Sequence, residues 1–292
     1  MVLNSISEIF EEVKTGGKPF WEIVLQYDME ERQVSRESSI AKMLTTWKAM
    51  QEAADAYTGT RRSVSGLVGG DGMKMRQYTL RGEALSGGGY MSEVISEALS
   101  MAESNACMRR IVACPTAGSC GVMPAVLLPL VKNGNITQKQ ILEALYVASG
   151  IGIVIAHKAC IAGATGGCQA EIGTASAMAA GALVKLRGGT DDMVGHAVAI
   201  ALSNLMGLVC DPVAGLVEVP CVKRNVIGAL NSVSAADMAL AGIESQIPVD
   251  EVIDAMGEVG RRMPMEYRET ALGGLAATPT GKAFKEKIQN KT

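Results

Sequence analysis

The sequence is short of aromatic side chains, of histidine, of net charge and of uninterrupted apolar length, and each shortage narrows what the chain can be. Aromatics make up only 4% of its 292 residues, while 33 glycines and 17 methionines accompany abundant alanine. Small side chains suit close helix packing and tight backbone turns rather than an aromatic-filled β core. Twenty-seven Lys and Arg stand against 30 Asp and Glu, a formal net charge of −3, so no basic field points to nucleic acid or to an anionic membrane. The most apolar run, residues 142–156, is interrupted by Glu143 and two glycines and stops at His157-Lys158, too short for a spanning helix. It reads as a buried core helix. Residues 1–14 alternate acids with apolar side chains and have no basic region ahead of an apolar stretch, unlike a secretory signal. The expectation is a cytosolic protein with no nucleic-acid and no membrane partner.

At 48% hydrophobic residues the chain can bury one large core or two modest ones. Ser5 and Glu8 have capping-box spacing, and Ile6, Ile9, Phe10 and Val13 follow at helical period until Gly16-Gly17. A second helix is predicted from near Pro19, and a third carries Ile40, Met43, Leu44, Trp47 and Met50 on one face before Thr58-Gly59. Residues 1–60 thus read as an N-terminal helical arm and 61–292 as a catalytic domain, the two forming one continuous unit. Between Thr60 and Tyr90, glycines are interleaved with Arg61, Arg62, Lys74, Arg76 and Arg81, a pattern open to a surface connection or a functional flap. Further helices are expected over 91–107, 121–132, 138–157, 174–187, 191–207, 234–246 and 249–260. Thr137-x-x-Gln140, Thr190-Asp-Asp and Ser234-x-x-Asp237 mark three of their starts. Strand-like alternation is scarce, so the fold class is mainly α, with Gly-rich loops between the helices.

All seven cysteines lie between Cys107 and Cys221, and none forms a Cys-x-x-Cys pair. In a reducing compartment they are not structural disulfides. Three stretches combine a cysteine with residues that fix unusual backbone: Ala113-Cys-Pro-Thr-Ala-Gly-Ser-Cys-Gly121, Gly163-Ala-Thr-Gly-Gly-Cys-Gln-Ala-Glu-Ile-Gly173, and Cys210-Asp-Pro-Val-Ala-Gly-Leu-Val-Glu-Val-Pro-Cys221. The first runs into a predicted helix whose free N–H groups would cradle a carboxylate, although a tight Pro-Gly turn capping a buried helix has the same pattern. In the second, Gly166-Gly167 permits close backbone approach. In the third, Cys210-Asp-Pro and Pro220-Cys221 predict thiolates on rigid, non-helical backbone. Burial as a small apolar side chain competes with metal binding at each cysteine. The usual zinc spacings are absent, which favours an iron-sulfur cluster over zinc.

Taken in order and spacing, these segments resemble the catalytic region of the iron-sulfur-dependent L-serine dehydratases, specifically the α chain of the two-chain bacterial form. The resemblance extends to residues 22–37 and to the tail Arg268-Glu-Thr-Ala-Leu-Gly-Gly-Leu-Ala. It implies that Cys168, Cys210 and Cys221, at intervals of 42 and 11 residues, hold a 4Fe-4S cluster. It also implies that Pro115, Thr116, Ala117, Gly118 and Ser119 form the loop against the L-serine carboxylate. Pyruvate and ammonia would be the products, without pyridoxal phosphate. Single-chain relatives carry a further domain ahead of this region, which a separate β chain would supply here. Some of them end in a cysteine that caps the cluster, whereas this chain ends Gln289-Asn-Lys-Thr292.

For the base, the chain offers just two histidines, with Lys158 and Glu171 near the cysteine segments. His157, with Lys158 beside it, is the favoured choice, a hydrogen-bonded structural histidine being the alternative. His196 lies among apolar residues and packs. Lys223-Arg224-Asn225 could pair with a carboxylate or with cluster charge, or form a solvated patch. Two other functions stay open: a related β-eliminating lyase such as a cysteine desulfidase or threonine dehydratase, and a non-catalytic cluster sensor.

Overall fold

Local side-chain chemistry opens several helices where the sequence predicts them. In the computed structural model, which describes residues 3–134 and 136–290, Ser5 Oγ accepts from Glu8 N at 3.0 Å and starts α1 (Ile6–Gly16). α2 (Phe20–Arg32) follows Pro19, and α3 (Arg36–Asp55) is capped by Ser35. α4 (Asp71–Leu80), α5 (Gly89–Ala106) and α6 (Val122–Lys132) come next. Thr137 and Gln140 exchange both capping-box bonds at the head of α7 (Gln138–Lys158). A single turn, α8 (Gly163–Gly166), precedes α9 (Thr174–Leu186) and α10 (Asp191–Leu205), the last capped by Thr190. α11 (Cys221–Leu240), α12 (Val249–Arg262) and α13 (Pro279–Gln289) complete the chain. Among the described residues there is no β-strand. The tail residues Lys291 and Thr292, like Met1 and Val2, lie outside the described residues.

α9 is the hub. Every residue of Thr-Ala-Ser-Ala-Met-Ala-Ala-Gly-Ala-Leu-Val-Lys-Leu except Lys185 is buried, and it packs on α6, α7, α10 and α11. A helix that is apolar all round belongs in a core, and its small residues let neighbours approach closely. A Cβ at Gly181 would lie 2.3 Å from Ile151 Cδ1, so α7 and α9 meet where glycine leaves room. This close packing is what the scarcity of aromatics foreshadows. α7 is the one described helix long and apolar enough to cross a membrane by length and composition, and 61% of that window is buried inside the protein. Phe20, Ile23 and Leu25 of α2 join the same core, and Asp250 of α12 accepts from the N–H groups of Ile6 and Ser7 at 3.0 and 2.9 Å.

The structure differs from the sequence expectations at three helices. α4 lies in the stretch read as loop, because only Gly72 of that helix is buried and no apolar stripe announces it. Its start is capped from α5: buried Glu103 accepts from Asp71 N at 2.7 Å and also from the Tyr57 hydroxyl. Tyr57→Phe is expected to lower unfolding stability by about 1–2 kcal/mol, measurable by urea denaturation. A second difference is that α11 begins at Cys221, so Ser234 is no helix cap; its hydroxyl donates to Asn231 O within the helix. Finally, α13 was not expected, although Thr278 caps it and Pro279 takes its first position.

Candidate metal centre

Segments remote in sequence bring three buried cysteines together. Cys168 leads into a π-helical turn, Gln169–Gly173, that continues as α9; such turns are frequent at functional sites. Gln169 locks the turn in place. Its backbone N–H donates to Leu208 O at 2.9 Å, its Nε2 donates to Met256 O at 3.1 Å, and its Oε1 accepts from Gly207 N at 2.7 Å. Cys210 lies on extended backbone beyond α10 and pairs with the tail. Cys210 N donates to Tyr267 O at 2.8 Å, and Glu269 N donates to Cys210 O at 2.9 Å. Cys221, predicted on non-helical backbone, is instead the first residue of α11 behind Pro220. Exposure of the three residues is 1%, 2% and 6%.

One ligand atom each from Cys168, Glu171 and Cys210 lie within 4.8 Å of one another. Gly163 opens onto the same centre: a Cβ there would come 3.0 Å from Cys210 Sγ, 3.3 Å from Glu269 Oε2 and 3.6 Å from Glu171 Oε2. Glu269 sits at φ 64°, a left-handed conformation uncommon for glutamate. The adjacent Cys210, with Arg224 alongside, holds the Cys168 thiol below its ordinary range despite burial. Cys168 in turn, with burial, drives Cys210 upward. Burial, then Cys168 and Glu171, push Cys221 up to about 12. Burial and nearby Glu269 raise Glu171, against the hydrogen bond from Thr116. Soft sulfur donors with two adjacent carboxylates can hold a thiophilic metal.

The Pro115–Ser119 loop borders this centre, but its donors are engaged differently from the expectation. The α6 start is not free, since Gly121 N donates to Asn225 Oδ1 at 2.8 Å and Val122 N to Ser119 O at 3.1 Å. Instead, Thr116 Oγ1 donates to Glu171 Oε1, and the backbone of Gly118 bonds the same carboxylate. Ser119 Oγ works inside the loop, accepting from Thr116 N at 3.3 Å. Pro115 is half-buried and Ala117 exposed. Asn225 ties the loop to the cysteines: its Nδ2 donates to Gly118 O at 2.7 Å and to Cys221 O at 3.0 Å.

His157 and Lys158 are not brought into this group. His157 is exposed, with Nδ1 3.4 Å from Leu3 O; Lys158 Nζ pairs with Asp254 at 3.2 Å. His196 Nδ1 accepts from Ser245 N. Arg224 pairs with Asp211. Sequence reasoning missed Asp211, Gln169 and Glu269 as neighbours of the thiols. All three lie inside the quoted segments, and nothing in the sequence marked them apart from the residues around them.

Comparison with known proteins identifies the family. Residues 15–276 match the family model described as "Serine dehydratase alpha chain". The chain is 45% identical over 287 residues to the "Probable L-serine dehydratase, alpha chain" of Bacillus subtilis (strain 168), an alignment covering 98% of this chain and 95% of that one. It is 41% identical over 285 residues to the "L-serine dehydratase, alpha chain" of Peptoniphilus asaccharolyticus, with 97% of both chains covered. With "L-serine dehydratase 2" of Escherichia coli (strain K12) it shares 45% over 181 residues, 61% of this chain and 40% of that one.

Proposed function

This chain belongs to the serine dehydratase alpha-chain family, and from that premise we infer that its buried thiol centre is where L-serine loses water. The protein is a lyase. The Cα proton and the β-hydroxyl leave as water, and the aminoacrylate so formed tautomerises and is hydrolysed to pyruvate and ammonia, with no net redox change.

The observation that carries the reading is the convergence of Cys168, Cys210 and Glu171, with Cys221 acting electrostatically on the same group. Cys168, Cys210 and Cys221 would hold a 4Fe-4S cluster. The fit rests on the donor set: three soft sulfurs, and a glycine at 163 where any Cβ would crowd the centre. When bound, the cluster would supply a Lewis acid toward the substrate hydroxyl.

The chain's own residues would bind and orient. Thr116 Oγ1 and Gly118 already hold a carboxylate, that of Glu171. The serine carboxylate is the same chemical group, so these donors suit it, with Glu171 giving way. The engagement of His157 with Leu3 and of Lys158 with Asp254 supports a Cα base supplied by a β chain, the second polypeptide of the proposed enzyme.

Anaerobic reconstitution with iron and sulfide, followed by assay of pyruvate from serine, threonine or cysteine, tests the reading. Turnover of serine is expected only in the reconstituted protein. Full activity in aerobically purified, iron-free protein would overturn the cluster mechanism; a preference for threonine or cysteine would reassign the substrate.

A further inference from the structure

Beside Cys168 lies a buried charge pair that the proposed reaction does not use. Arg224 stands three residues after Cys221 on α11, so ligand and cation share one face of the same helix. Its Nη1 donates to Val209 O at 2.8 Å and reaches Cys168 Sγ at 3.6 Å. Its Nη2 lies 2.8 Å from Asp211 Oδ1. That contact is Coulombic rather than a well-directed hydrogen bond, since Oδ1 has no hydrogen-bond partner. The other oxygen, Oδ2, accepts from Leu275 N at 2.7 Å. The two side chains are 13% and 4% exposed.

Burying such a pair costs more desolvation than its mutual attraction returns in many proteins. Asp211 alone would satisfy Arg224 without directing the guanidinium at sulfur. Neutral thiols have little use for a cation, but three thiolates gathered on a cluster carry excess negative charge in a site closed to water. Hydrogen bonds and net charge at cluster sulfurs are what set a cluster's potential and persistence. Asp211 also contacts the tail. A Cβ at Gly274, whose φ is +57°, would come 2.3 Å from Asp211 Oδ2, so only glycine lets that segment close on the carboxylate.

We propose that Arg224, clamped by Asp211, is a positioning residue that donates to the Cys168 corner of the cluster, and that Asp211 couples this donor to the seating of residues 268–275. The proposal rests on the cluster reading above. It assigns to the tail a role in cluster retention through Leu275 N, Asp211, Arg224 and Cys168.

The test compares wild type, Arg224→Met, Arg224→Lys, Asp211→Asn and the exposed neighbour control Lys223→Met, all reconstituted anaerobically as full-length protein. The readouts are iron and sulfide content, the rate of loss of visible absorption in air, and the midpoint potential followed by electron paramagnetic resonance. Arg224→Met is expected to lose its cluster about tenfold faster and to titrate at a more negative potential, because removing a cation favours the oxidised form. Arg224→Lys keeps the charge but not the planar fork, so it should recover potential better than lifetime. Asp211→Asn should follow Arg224→Met and also become more sensitive to proteolysis across 268–275. Lys223→Met should match wild type. If Arg224→Met fails to fold by circular dichroism, Arg224→Lys and Asp211→Asn carry the comparison. Wild-type lifetime and potential in the folded Arg224 and Asp211 variants would overturn the proposal while leaving the cluster reading intact. A wild-type protein that takes up no cluster would overturn that reading, and this inference with it.

Discussion

Cys210→Ser is expected to leave the reconstituted protein without iron-sulfur absorption and without serine turnover, while Cys107→Ser and Cys160→Ser retain both. Serine matches cysteine in shape closely enough to keep the backbone pairing of Cys210 with Tyr267 and Glu269, which uses no side-chain atom. What it loses is the soft donor, and a hard alkoxide binds iron-sulfur iron poorly. Cys168→Ser and Cys221→Ser should behave alike. The control positions have other surroundings. Cys107 ends α5 beside Glu103, where burial and that carboxylate raise its thiol. The Cys160 sulfur packs over Gly166, where a Cβ would come within 2.4 Å of it. The measurement is visible absorption with iron and sulfide analysis, beside circular dichroism to show that each variant is folded. A folded Cys210→Ser protein with the full absorption band would remove Cys210 from the ligand set.

The sites that could be read in advance are those decided within a few residues of chain. Ser5, Thr137 and Thr190 cap helices because a side-chain oxygen meets an N–H three positions on. The cysteine segments stood out because glycine and proline punctuate them. α4 could not be read this way: its cap is Glu103, supplied by another helix. The start of α11 was hidden for a related reason, since Pro220 looks like an interruption until the chain on either side is placed. Within the site, the cysteines and the Thr116 loop were legible as motifs. The exchange of partners was not. That Glu171 fills the loop, that Asp211 faces Arg224, and that residues 267–269 lie along Cys210 are all pairings made only when distant segments close. His157 shows the converse. A histidine near a cysteine in sequence acquires no role from proximity along the chain, because a base is defined by where its nitrogen points, and this nitrogen points at Leu3 O.

Titrating the reconstituted chain with its proposed β chain is expected to raise pyruvate formation by about a hundredfold or more, the usual worth of a positioned general base, with little change in cluster content. Both histidines of this chain are engaged away from the thiols. Beside them are two carboxylates, Glu171 and Glu269, the first already bonded by Thr116. The chain aligns with 40% of the Escherichia coli enzyme but 95% of the Bacillus subtilis alpha chain, so the Escherichia coli protein has length outside the match. A pocket completed at an interface gives a steep dependence on the second component, because the base and part of the substrate cavity arrive together. Cluster absorption measured at each point separates this from assisted cluster uptake: if iron content rises in step with activity, the β chain acts on loading, and if activity rises at constant iron, it supplies part of the site. Turnover that is already maximal in the purified chain, and flat across the titration, would place the base on this chain after all and make Glu171 and Glu269, beside the thiols, the candidates.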